Sequence, residues 1–284
     1  MRIKFRQEKS FGLIGNPLGH SLSPFIHKEL FKIAGISADY ELYEADENEL
    51  VLLYKNTLSA LTGFNVTIPH KQNIIPLLDS LSGRARLFGS VNTVYNDGEK
   101  ATGYNTDCIG FLRSLEGAGI ELEGSVLILG CGGVARTFAF ESVIAGAEVT
   151  LAVRRTGFEK ATKLKNEIKE KLNSDVKIAF LDKIDSGYDL IINATPVGMF
   201  PKTDASPLEK EAVLKSKAVF DAIYNPQETL LIKYAKEGGL KYLNGLPMLV
   251  WQAAAAEEIW NGVKFTEQEV ERVIELTRKE LEKG

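Results

Sequence analysis

The chain has 284 residues, 44% of them hydrophobic, and a formal net charge of -4 from 34 basic and 38 acidic side chains. Because this is long for a single hydrophobic core, we expect two domains. Charges of both signs are mixed along the sequence without a basic stripe, which argues against nucleic acid and anionic membranes as partners. Because neither partner is favoured, we expect a small-molecule ligand. No apolar run approaches the ~20 residues that cross a bilayer.

The start of the chain, residues 1–6, is too polar and too short for a signal peptide. Cys108 and Cys131 have neither metal-ligand spacing nor a disulfide pattern, as is usual in a reducing compartment. No HxxxH or Cys/His arrangement is formed by the histidines His20, His27 and His70. From these features we predict a cytoplasmic protein that binds no metal ion.

The first part of the chain alternates predicted strands with short helices. A strand is predicted at Phe11–Asn16, followed by a helix in which Ser23 is the N-cap, Pro24 is the first helical residue and Gly35 is the stop. The elements predicted next are a strand at Tyr40–Tyr43, a helix at Asp46–Leu58, a buried strand through Leu61, Phe64, Val66 and Ile68 that ends at Pro69, and a hairpin of Val91–Tyr95 with Ala101–Tyr104.

The pattern changes after Asp107, where strands alternate with helices in the manner of a parallel sheet. The predicted elements are a helix through Phe111, Leu112 and Leu115, strands at Ser125–Leu129 and Glu148–Val153, a charged helix at Glu159–Leu172, and apolar runs at Val176–Phe180, Leu190–Asn193 and Ala218–Ala222. An alanine-rich helix is predicted at Met248–Trp260. Thr266 begins another helix as its N-cap, with Glu269 three residues later.

The segment from Asn65 to Lys71 combines an amide, a hydroxyl and an ammonium within a few residues of an apolar strand. Such a set of groups can bind a polyol and move its proton. Because Pro69 should end the strand, Lys71 is expected near the strand end. The alternative is an ordinary solvated loop lysine.

A glycine-rich turn follows the predicted strand Ser125–Leu129 and leads into a helix. Gly130 would permit the tight turn, and Gly132 would let the backbone approach a pyrophosphate at the positive end of the helix. Ala135 stands where a third glycine is common. The pattern predicts a dinucleotide site, with purely structural glycines as the alternative.

The end of the next strand distinguishes between the two nicotinamide dinucleotides. An NAD site usually has an acidic residue here, whereas this chain has Arg154, Arg155 and Thr156. Two guanidinium groups and a hydroxyl suit a ribose 2'-phosphate, which a carboxylate would repel. We therefore predict NADP(H), with a solvated basic turn as the alternative.

Several ordered motifs together resemble one family, the shikimate dehydrogenases of the aromatic amino-acid pathway. The motifs span nearly the whole chain: residues 15–24 (GNPLGHSLSP), 65–71 (NVTIPHK), 89–93 (GSVNT), 103–107 (GYNTD), 130–133 (GCGG), 193–199 (NATPVGM) and 245–254 (GLPMLVWQAA). The resemblance implies NADPH-dependent, reversible reduction of 3-dehydroshikimate to shikimate. It also implies an α/β fold with an N-terminal substrate domain, a Rossmann-like NADP-binding domain and an active site in the cleft between them.

The resemblance assigns the catalytic roles to Lys71 and Asp107. In the reductive direction the Lys71 ammonium would stabilise the negative charge that develops on the carbonyl oxygen and then supply the proton. Whether Lys71 shuttles the proton or acts mainly as an electrostatic clamp stays open at this point. Asp107 would orient Lys71 and accept a hydrogen bond from a neighbouring hydroxyl, while a helix cap is its ordinary alternative.

The remaining site residues are implied by the same resemblance. The substrate carboxylate would be bound by Ser21 and Ser23, and the ring hydroxyls by Asn65, Thr67, Asn92, Asp107 and Gln252, with Tyr224 near the nicotinamide. The cofactor would contact Gly130, Cys131, Gly132, Gly133, Val134, Arg154, Arg155, Thr156, Thr195, Ala222, Gly245 and Met248. The family commonly has asparagine before the arginine and threonine, so Arg154 leaves that adenosine contact in question and strengthens the attraction for phosphate.

We expect residues 1–107 with 246–284 to form the substrate domain and residues 108–245 the cofactor domain. Three further alternatives stay open: an enzyme of the same fold that accepts quinate, a non-catalytic sensor of NADPH or a shikimate-like metabolite, and assembly as a homodimer. Intact Lys71 and Asp107 argue against the sensor, and Arg155 with Thr156 argues against use of NAD.

Overall fold

The computed structural model describes residues 9–19, 21–184 and 187–283. The start of the chain and His20 lie outside these residues, so the predictions made for them have no structural counterpart. The chain divides into two compact units, Met1–Thr106 with Gln252–Gly284, and Asp107–Trp251. Within the described ranges, no helix has both the length and the hydropathy needed to span a membrane.

The N-terminal part of the first unit alternates strands and helices, as its pattern predicts. Its elements are β1 (Lys9–Gly15), α1 (Ser23–Ala34), β2 (Ala38–Glu44), α2 (Leu50–Asn56), β3 (Gly63–Val66), β4 (Ser80–Leu81), α3 (Gly83–Phe88), β5 (Thr93–Asn96) and β6 (Ala101–Tyr104). Helix α1 ends at Gly35 with a positive φ of 65°, which confirms the predicted stop. The predicted hairpin is β5 paired antiparallel with β6.

The strands of this unit form one mixed sheet in the order β2-β1-β3-β5-β6-β4. Strands β1, β2 and β3 are parallel, and β5 runs antiparallel to β3. Strand β6 is antiparallel to β5 and therefore points the same way as β3. The loops that follow β1, β3 and β6 consequently leave the sheet at the same edge.

Three local predictions in this unit are wrong in detail. The N-cap of α1 is Leu22, and Ser23 is the first helical residue, because the Ser21 hydroxyl accepts from the Ser23 N–H at 3.3 Å. The predicted helix from Asp46 is shorter, because the Asp46 carboxylate holds a turn before α2 by accepting from the N–H of Glu49 at 3.1 Å. Ile68 lies beyond β3 and is 68% exposed, so it is not part of the buried strand.

The second unit begins at Asp107 and has the regular alternation of a doubly wound fold. Its elements are α4 (Asp107–Gly117), β7 (Ser125–Leu129), α5 (Gly133–Ile144), β8 (Glu148–Val153), α6 (Phe158–Leu172), β9 (Lys177–Phe180), β10 (Leu190–Asn193), α7 (Lys210–Leu214), β11 (Ala218–Asp221), α8 (Leu230–Glu237) and β12 (Lys241–Leu243). Its strands form a parallel sheet in the order β12-β11-β10-β7-β8-β9. The two directions of winding meet between β7 and β10, where ligands of such folds bind.

The buried strands of this unit explain why its boundaries could be predicted closely. All four residues of Leu190–Asn193 and of Ala218–Asp221 are buried, as expected for parallel strands covered on both faces. Two C-terminal helices complete the chain, α9 (Leu246–Asn261) and α10 (Glu267–Leu281). Helix α10 begins with the predicted capping box of Thr266 and Glu269.

Candidate active site

In the first unit, Asn92 connects several of the predicted substrate residues. It directly precedes β5, and its Oδ1 accepts from the backbone N–H of Thr106 at 2.6 Å. Its Nδ2 lies 3.0 Å from the Thr106 hydroxyl and 3.3 Å from Oε1 of Gln252 in α9. Since Asn92 is only 2% exposed, this network fixes the segments before β5 and after β6 relative to Gln252.

Asn65 lies on β3 beside the same network and is 5% exposed. Its Nδ2 is 3.2 Å from the carbonyl oxygen of Asn92 and 3.1 Å from the Thr93 hydroxyl. Its Oδ1 accepts from the Tyr40 hydroxyl of β2 at 2.8 Å. The structure therefore brings Asn65, Asn92 and Gln252 together, and it adds Tyr40 and Thr93, which the sequence did not single out.

The turn after β3 places Thr67 and Lys71. The Thr67 N–H donates to the carbonyl of Ile14 at 2.9 Å, which ties the turn to β1. The Lys71 carbonyl accepts from the Val91 N–H at 2.8 Å, which ties it to the segment that carries Asn92. Buried His70 is held with Nε2 2.8 Å from the Ala45 carbonyl. The backbone around Lys71 is thus anchored on several sides, while its side chain is partly exposed.

Ser21 and Ser23 follow β1 at the same edge of the sheet. The Ser21 hydroxyl accepts from the Ser23 N–H at 3.3 Å and so stabilises the turn before α1. Ser23 is 8% exposed, and its hydroxyl lowers the pKa of Tyr40, in opposition to burial. Both serines are therefore partly engaged within the protein.

Asp107 and Tyr224 belong to the second unit. Asp107 is the first residue of α4 and is 6% exposed. Tyr224 follows β11, and burial raises the pKa of its hydroxyl. A tyrosine in this state keeps its proton over the ordinary pH range and can donate a hydrogen bond.

The glycine-rich turn lies where β7 and β10 meet. Gly130 has φ of +101°, and a Cβ there would lie 3.0 Å from the Thr195 methyl carbon and 3.2 Å from the Ala194 carbonyl oxygen. Only glycine satisfies both conditions without strain. Thr195 is in turn held by Asn193, whose Oδ1 accepts from the Thr195 N–H at 3.0 Å.

The residues after Gly130 provide space for a diphosphate. Added Cβ atoms at Gly132 and Gly133 would meet nothing within 4 Å, and Gly132 is the N-cap of α5 without a side-chain cap. Helix N-terminal N–H groups and the helix dipole favour an anion at this position. Val134 lies in the first turn of α5. The turn therefore fits the pyrophosphate of a dinucleotide.

Cys131 connects this turn to the one after β8. Its thiol is 3.6 Å from the Gly157 carbonyl oxygen, and burial raises its pKa. A raised thiol pKa lowers the fraction of reactive thiolate. We therefore assign the Cys131 thiol a packing role, while the Cys131 backbone belongs to the diphosphate turn.

The three residues that follow β8 are exposed, as a charged ligand group requires: Arg154, Arg155 and Thr156. The guanidinium carbon of Arg155 lies 4.6 Å from the Phe180 ring centroid, and one of its nitrogens is 3.6 Å from a carboxylate oxygen of Asp182. These contacts hold Arg155 beside the end of β8. The set has the charge and donors that a ribose 2'-phosphate needs.

Ala222, Gly245 and Met248 follow the ends of β11 and β12. The Gly245 N–H donates to the Ile223 carbonyl at 3.0 Å, and a Cβ at Gly245 would collide with the Ala222 carbonyl. Met248 lies in the first turn of α9 and is 7% exposed. Together with Thr195, these residues border the carboxyl ends of the parallel strands.

A buried polar network behind Thr195 was not predicted from the sequence. Asp221 Oδ1 accepts from Asn193 Nδ2 at 2.9 Å and from the Ile223 N–H at 3.0 Å, and Oδ2 accepts from the Thr229 hydroxyl at 2.6 Å. Burial raises the pKa of Asp221 to about 6, although these hydrogen bonds oppose the shift. The network fixes Asn193 and, through it, Thr195.

This raised pKa leads to a testable pH dependence of stability. The unfolded-state pKa of aspartate is about 3.9, so between about pH 4 and pH 6 the native state binds more protons than the unfolded state. The contribution of Asp221 to the free energy of unfolding therefore falls as the pH rises through that window. We expect Asp221→Asn to gain about 2 kcal/mol relative to wild type between pH 4.5 and pH 7.5.

Urea unfolding of both proteins at these two pH values measures the effect. Asp204→Asn serves as the control, because Asp204 is exposed, and its stability relative to wild type should change little with pH. A difference between Asp221→Asn and wild type that is the same at both pH values would contradict the assignment.

No group of three or more metal-ligating side chains occurs within residues 9–19, 21–184 and 187–283.

Comparison with known proteins gives matches in both parts of the chain. Residues 13–94 match the family model described as the shikimate dehydrogenase substrate binding domain. Residues 245–275 match the model described as the shikimate 5'-dehydrogenase C-terminal domain.

Individual proteins match over most of the chain. The shikimate dehydrogenase (NADP(+)) of Methanocaldococcus jannaschii is 43% identical over 263 residues, which cover 90% of this chain and 92% of that protein. A crystal structure of a shikimate dehydrogenase in complex with NADP+ is 40% identical, with a TM-score of 0.87 and 94% of each chain covered. The enzyme of Thermus thermophilus, solved with NADP(H) and shikimate, is 34% identical with a TM-score of 0.84, over 95% of this chain and 99% of that one.

Proposed function

The chain belongs to the shikimate dehydrogenase family, and we propose how its residues carry out the reversible, NADPH-dependent reduction of 3-dehydroshikimate to shikimate. It is an oxidoreductase of chorismate and aromatic amino-acid biosynthesis, and its cofactor is NADP(H). The observation that carries the residue roles is the hydrogen bond between the Lys71 carbonyl and the Val91 N–H. This bond connects Lys71, the candidate proton donor, to the segment that carries Asn92.

The first unit supplies the groups that bind the substrate. Asn65, Asn92 and Gln252 are already connected by hydrogen bonds, and Thr67 is anchored to β1 beside them. Such a mixture of amide and hydroxyl groups suits the ring hydroxyls of a polyol. Ser21 and Ser23 are assigned to the carboxylate, which hydroxyl donors bind without a second buried charge. We assign residues 1–107 with 246–284 as the substrate domain; the first unit agrees with these bounds except at residues 107 and 246–251, which lie in the second unit.

Lys71 is assigned the proton transfer. As the carbonyl carbon is reduced, its oxygen gains negative charge, which the Lys71 ammonium stabilises before it donates a proton to that oxygen. In the reverse direction the neutral amine accepts the proton of the shikimate hydroxyl. Asp107 is assigned to accept a hydrogen bond from a ring hydroxyl beside the reacting carbon.

The second unit, Asp107–Trp251, supplies the groups that bind the cofactor, and we assign residues 108–245 as the cofactor domain. NADPH, when bound, supplies the hydride. The turn at Gly130, Cys131, Gly132, Gly133 and Val134 is assigned to the pyrophosphate. Arg154, Arg155 and Thr156 are assigned to the adenosine 2'-phosphate. The remainder of the cofactor and its nicotinamide end are assigned to Thr195, Ala222, Gly245 and Met248, with Tyr224.

The reaction is tested by following NADPH oxidation at 340 nm with 3-dehydroshikimate and identifying the product by chromatography. Stoichiometric formation of shikimate is the expected result. Tight binding of both ligands in calorimetry without turnover would favour a metabolite sensor and contradict the assignment.

Quinate is a second possible substrate that has to be distinguished from shikimate. It differs from shikimate at a part of the ring to which none of the described contacts is assigned. The preference is expected for shikimate, on the strength of the family membership. Comparison of kcat/KM for the two substrates decides between a shikimate enzyme and one of broader specificity.

A homodimer is also proposed. Strand β2 is at the end of its sheet, and Leu42 on it is 40% exposed. Exposed strand edges with apolar side chains are suited to pairing between chains. Sedimentation equilibrium over a range of concentrations tests this, and a single monomer mass throughout would refute it.

A cytoplasmic location is proposed because both cysteines are free thiols, Cys108 and Cys131. Reduced cysteines are usual in that compartment. Fractionation of cells that produce the protein tests this, and recovery from a secreted or membrane fraction would refute it.

A further inference from the structure

We propose that Tyr40 is a positioning residue that fixes the side-chain amide of Asn65, so that Asn65 accepts a hydrogen bond from a substrate hydroxyl and cannot donate one. The inference rests on the proposed function, because it concerns a residue assigned to the substrate. It specifies which partner in that contact carries the hydrogen.

The surroundings of Asn65 determine the orientation of its amide. Nδ2 is 3.2 Å from the carbonyl oxygen of Asn92, and a carbonyl oxygen can only accept. The nitrogen and not the oxygen must therefore face Asn92. The second N–H of the same amide is directed to the Thr93 hydroxyl at 3.1 Å. Both hydrogens of the Asn65 amide are thus used within the protein.

The opposite side of the amide faces Tyr40. Asn65 Oδ1 is 2.8 Å from the Tyr40 hydroxyl, which must be the donor because an amide oxygen only accepts. An amide oxygen has two lone pairs, so one acceptor position remains after Tyr40 has taken the other. A ligand that reaches Asn65 consequently meets an acceptor.

Tyr40 is itself held in place by a buried pair. Its ring stacks on His27 with centroids 4.1 Å apart and an interplanar angle of 12°. His27 Nδ1 is 2.5 Å from Oε1 of Glu257 in α9, and both residues are fully buried. The second carboxylate oxygen of Glu257 accepts from Asn261 at 2.7 Å. These contacts restrict the Tyr40 ring to the position from which its hydroxyl reaches Asn65.

The electrostatic surroundings keep Tyr40 a donor. Burial raises its pKa well above the ordinary value, and the Glu257 charge adds to the shift, while the Ser23 hydroxyl partly opposes it. The phenol therefore keeps its proton over the working pH range.

The consequence is a requirement on the substrate. The ring hydroxyl that meets Asn65 must donate its hydrogen, so a group that only accepts would leave the Asn65 oxygen facing another acceptor. Buried polar sites reject analogues that cannot complete their hydrogen bonds. Asn65 therefore discriminates a hydroxyl from fluorine at that ring position.

The first part of the test is Tyr40→Phe, which removes the hydroxyl and keeps the ring that stacks on His27. We expect KM for shikimate to rise about 5–20-fold, with KM for NADP+ unchanged and kcat reduced less than about threefold. The control is Tyr43→Phe on the same strand, whose hydroxyl contacts the exposed Glu41. It should leave each constant within about twofold of wild type.

The second part uses shikimate analogues in which a non-reacting ring hydroxyl is replaced by hydrogen or by fluorine. At one ring position, the loss of kcat/KM that wild type shows with the fluoro analogue, relative to shikimate, should be at least as large as the loss with the deoxy analogue. In Tyr40→Phe the loss with the fluoro analogue should be at least threefold smaller. A fluoro analogue accepted like shikimate at every position, or an unchanged KM in Tyr40→Phe, would overturn the positioning role alone. Failure of wild type to oxidise shikimate would overturn the proposed function and this inference with it.

Discussion

Replacement of Lys71 by alanine should reduce kcat for shikimate oxidation by about 10³–10⁴-fold, while KM for shikimate changes less than about tenfold. The ammonium group is assigned to a charge that exists mainly in the transition state, so its removal affects the chemical step more than binding. The Lys71 backbone is anchored through its carbonyl to the Val91 N–H, so truncation of the side chain should leave the turn in place.

Steady-state rates at 340 nm and calorimetric titration with shikimate measure the two effects separately. Lys100→Ala, at an exposed lysine next to strand β6 of the same unit, is the matched control and should keep wild-type rates. Lys71→Arg separates two roles, because arginine keeps the charge but does not release its proton. Activity of Lys71→Ala within tenfold of wild type would refute the assignment.

Replacement of Arg155 by alanine should raise KM for NADP+ about 30–100-fold and leave KM for NAD+ nearly unchanged. A charge-assisted hydrogen bond contributes about 1.5–3 kcal/mol, and each 1.4 kcal/mol is a factor of ten. The Arg155 guanidinium lies over the Phe180 ring, which holds it ready for the 2'-phosphate. NAD+ lacks that phosphate and should not respond to the substitution.

Two further variants sharpen this test. Arg154→Asn restores the residue that the family commonly has at this position, and we expect a smaller rise in KM for NADP+, about 3–10-fold. Lys177→Ala removes an exposed cation at the amino end of β9, the opposite end from Phe180, and should have no effect. An equal rise in KM for NADP+ and NAD+ in Arg155→Ala would show that the arginine does not bind the 2'-phosphate.

The five strands β7 to β11 of the second unit could be predicted closely because each is a short apolar run between breakers, whereas β12, with two exposed residues out of three, was not predicted. Glu148–Val153 and Leu190–Asn193 begin and end where the sequence predicts. The start of α1 could not be predicted correctly, because Ser23 before Pro24 is typical of an N-cap, whereas the N-cap is Leu22, which has no side-chain cap. Ile68 is apolar yet exposed, so a prediction from hydrophobicity alone made β3 too long.

The site residues divide in the same manner. The roles of Gly130 and Lys71 could be predicted because each belongs to a short sequence motif. The roles of Tyr40 and Asp221 could not be predicted in this way, because they depend on partners far away in the sequence, Asn65 for Tyr40 and Asn193 for Asp221. A tyrosine on a half-buried strand and an aspartate at a strand end carry no local pattern that reveals such contacts.

The initial rate of the wild-type protein with each pairing of shikimate or quinate with NADP+ or NAD+ tests the central claim most directly. We expect kcat/KM for shikimate with NADP+ to exceed that of each other pairing by at least about tenfold. Comparable rates with NAD+ would contradict the role of the basic turn after β8, and comparable rates with quinate would contradict the assigned specificity. No reduction of NADP+ by shikimate would contradict the account as a whole.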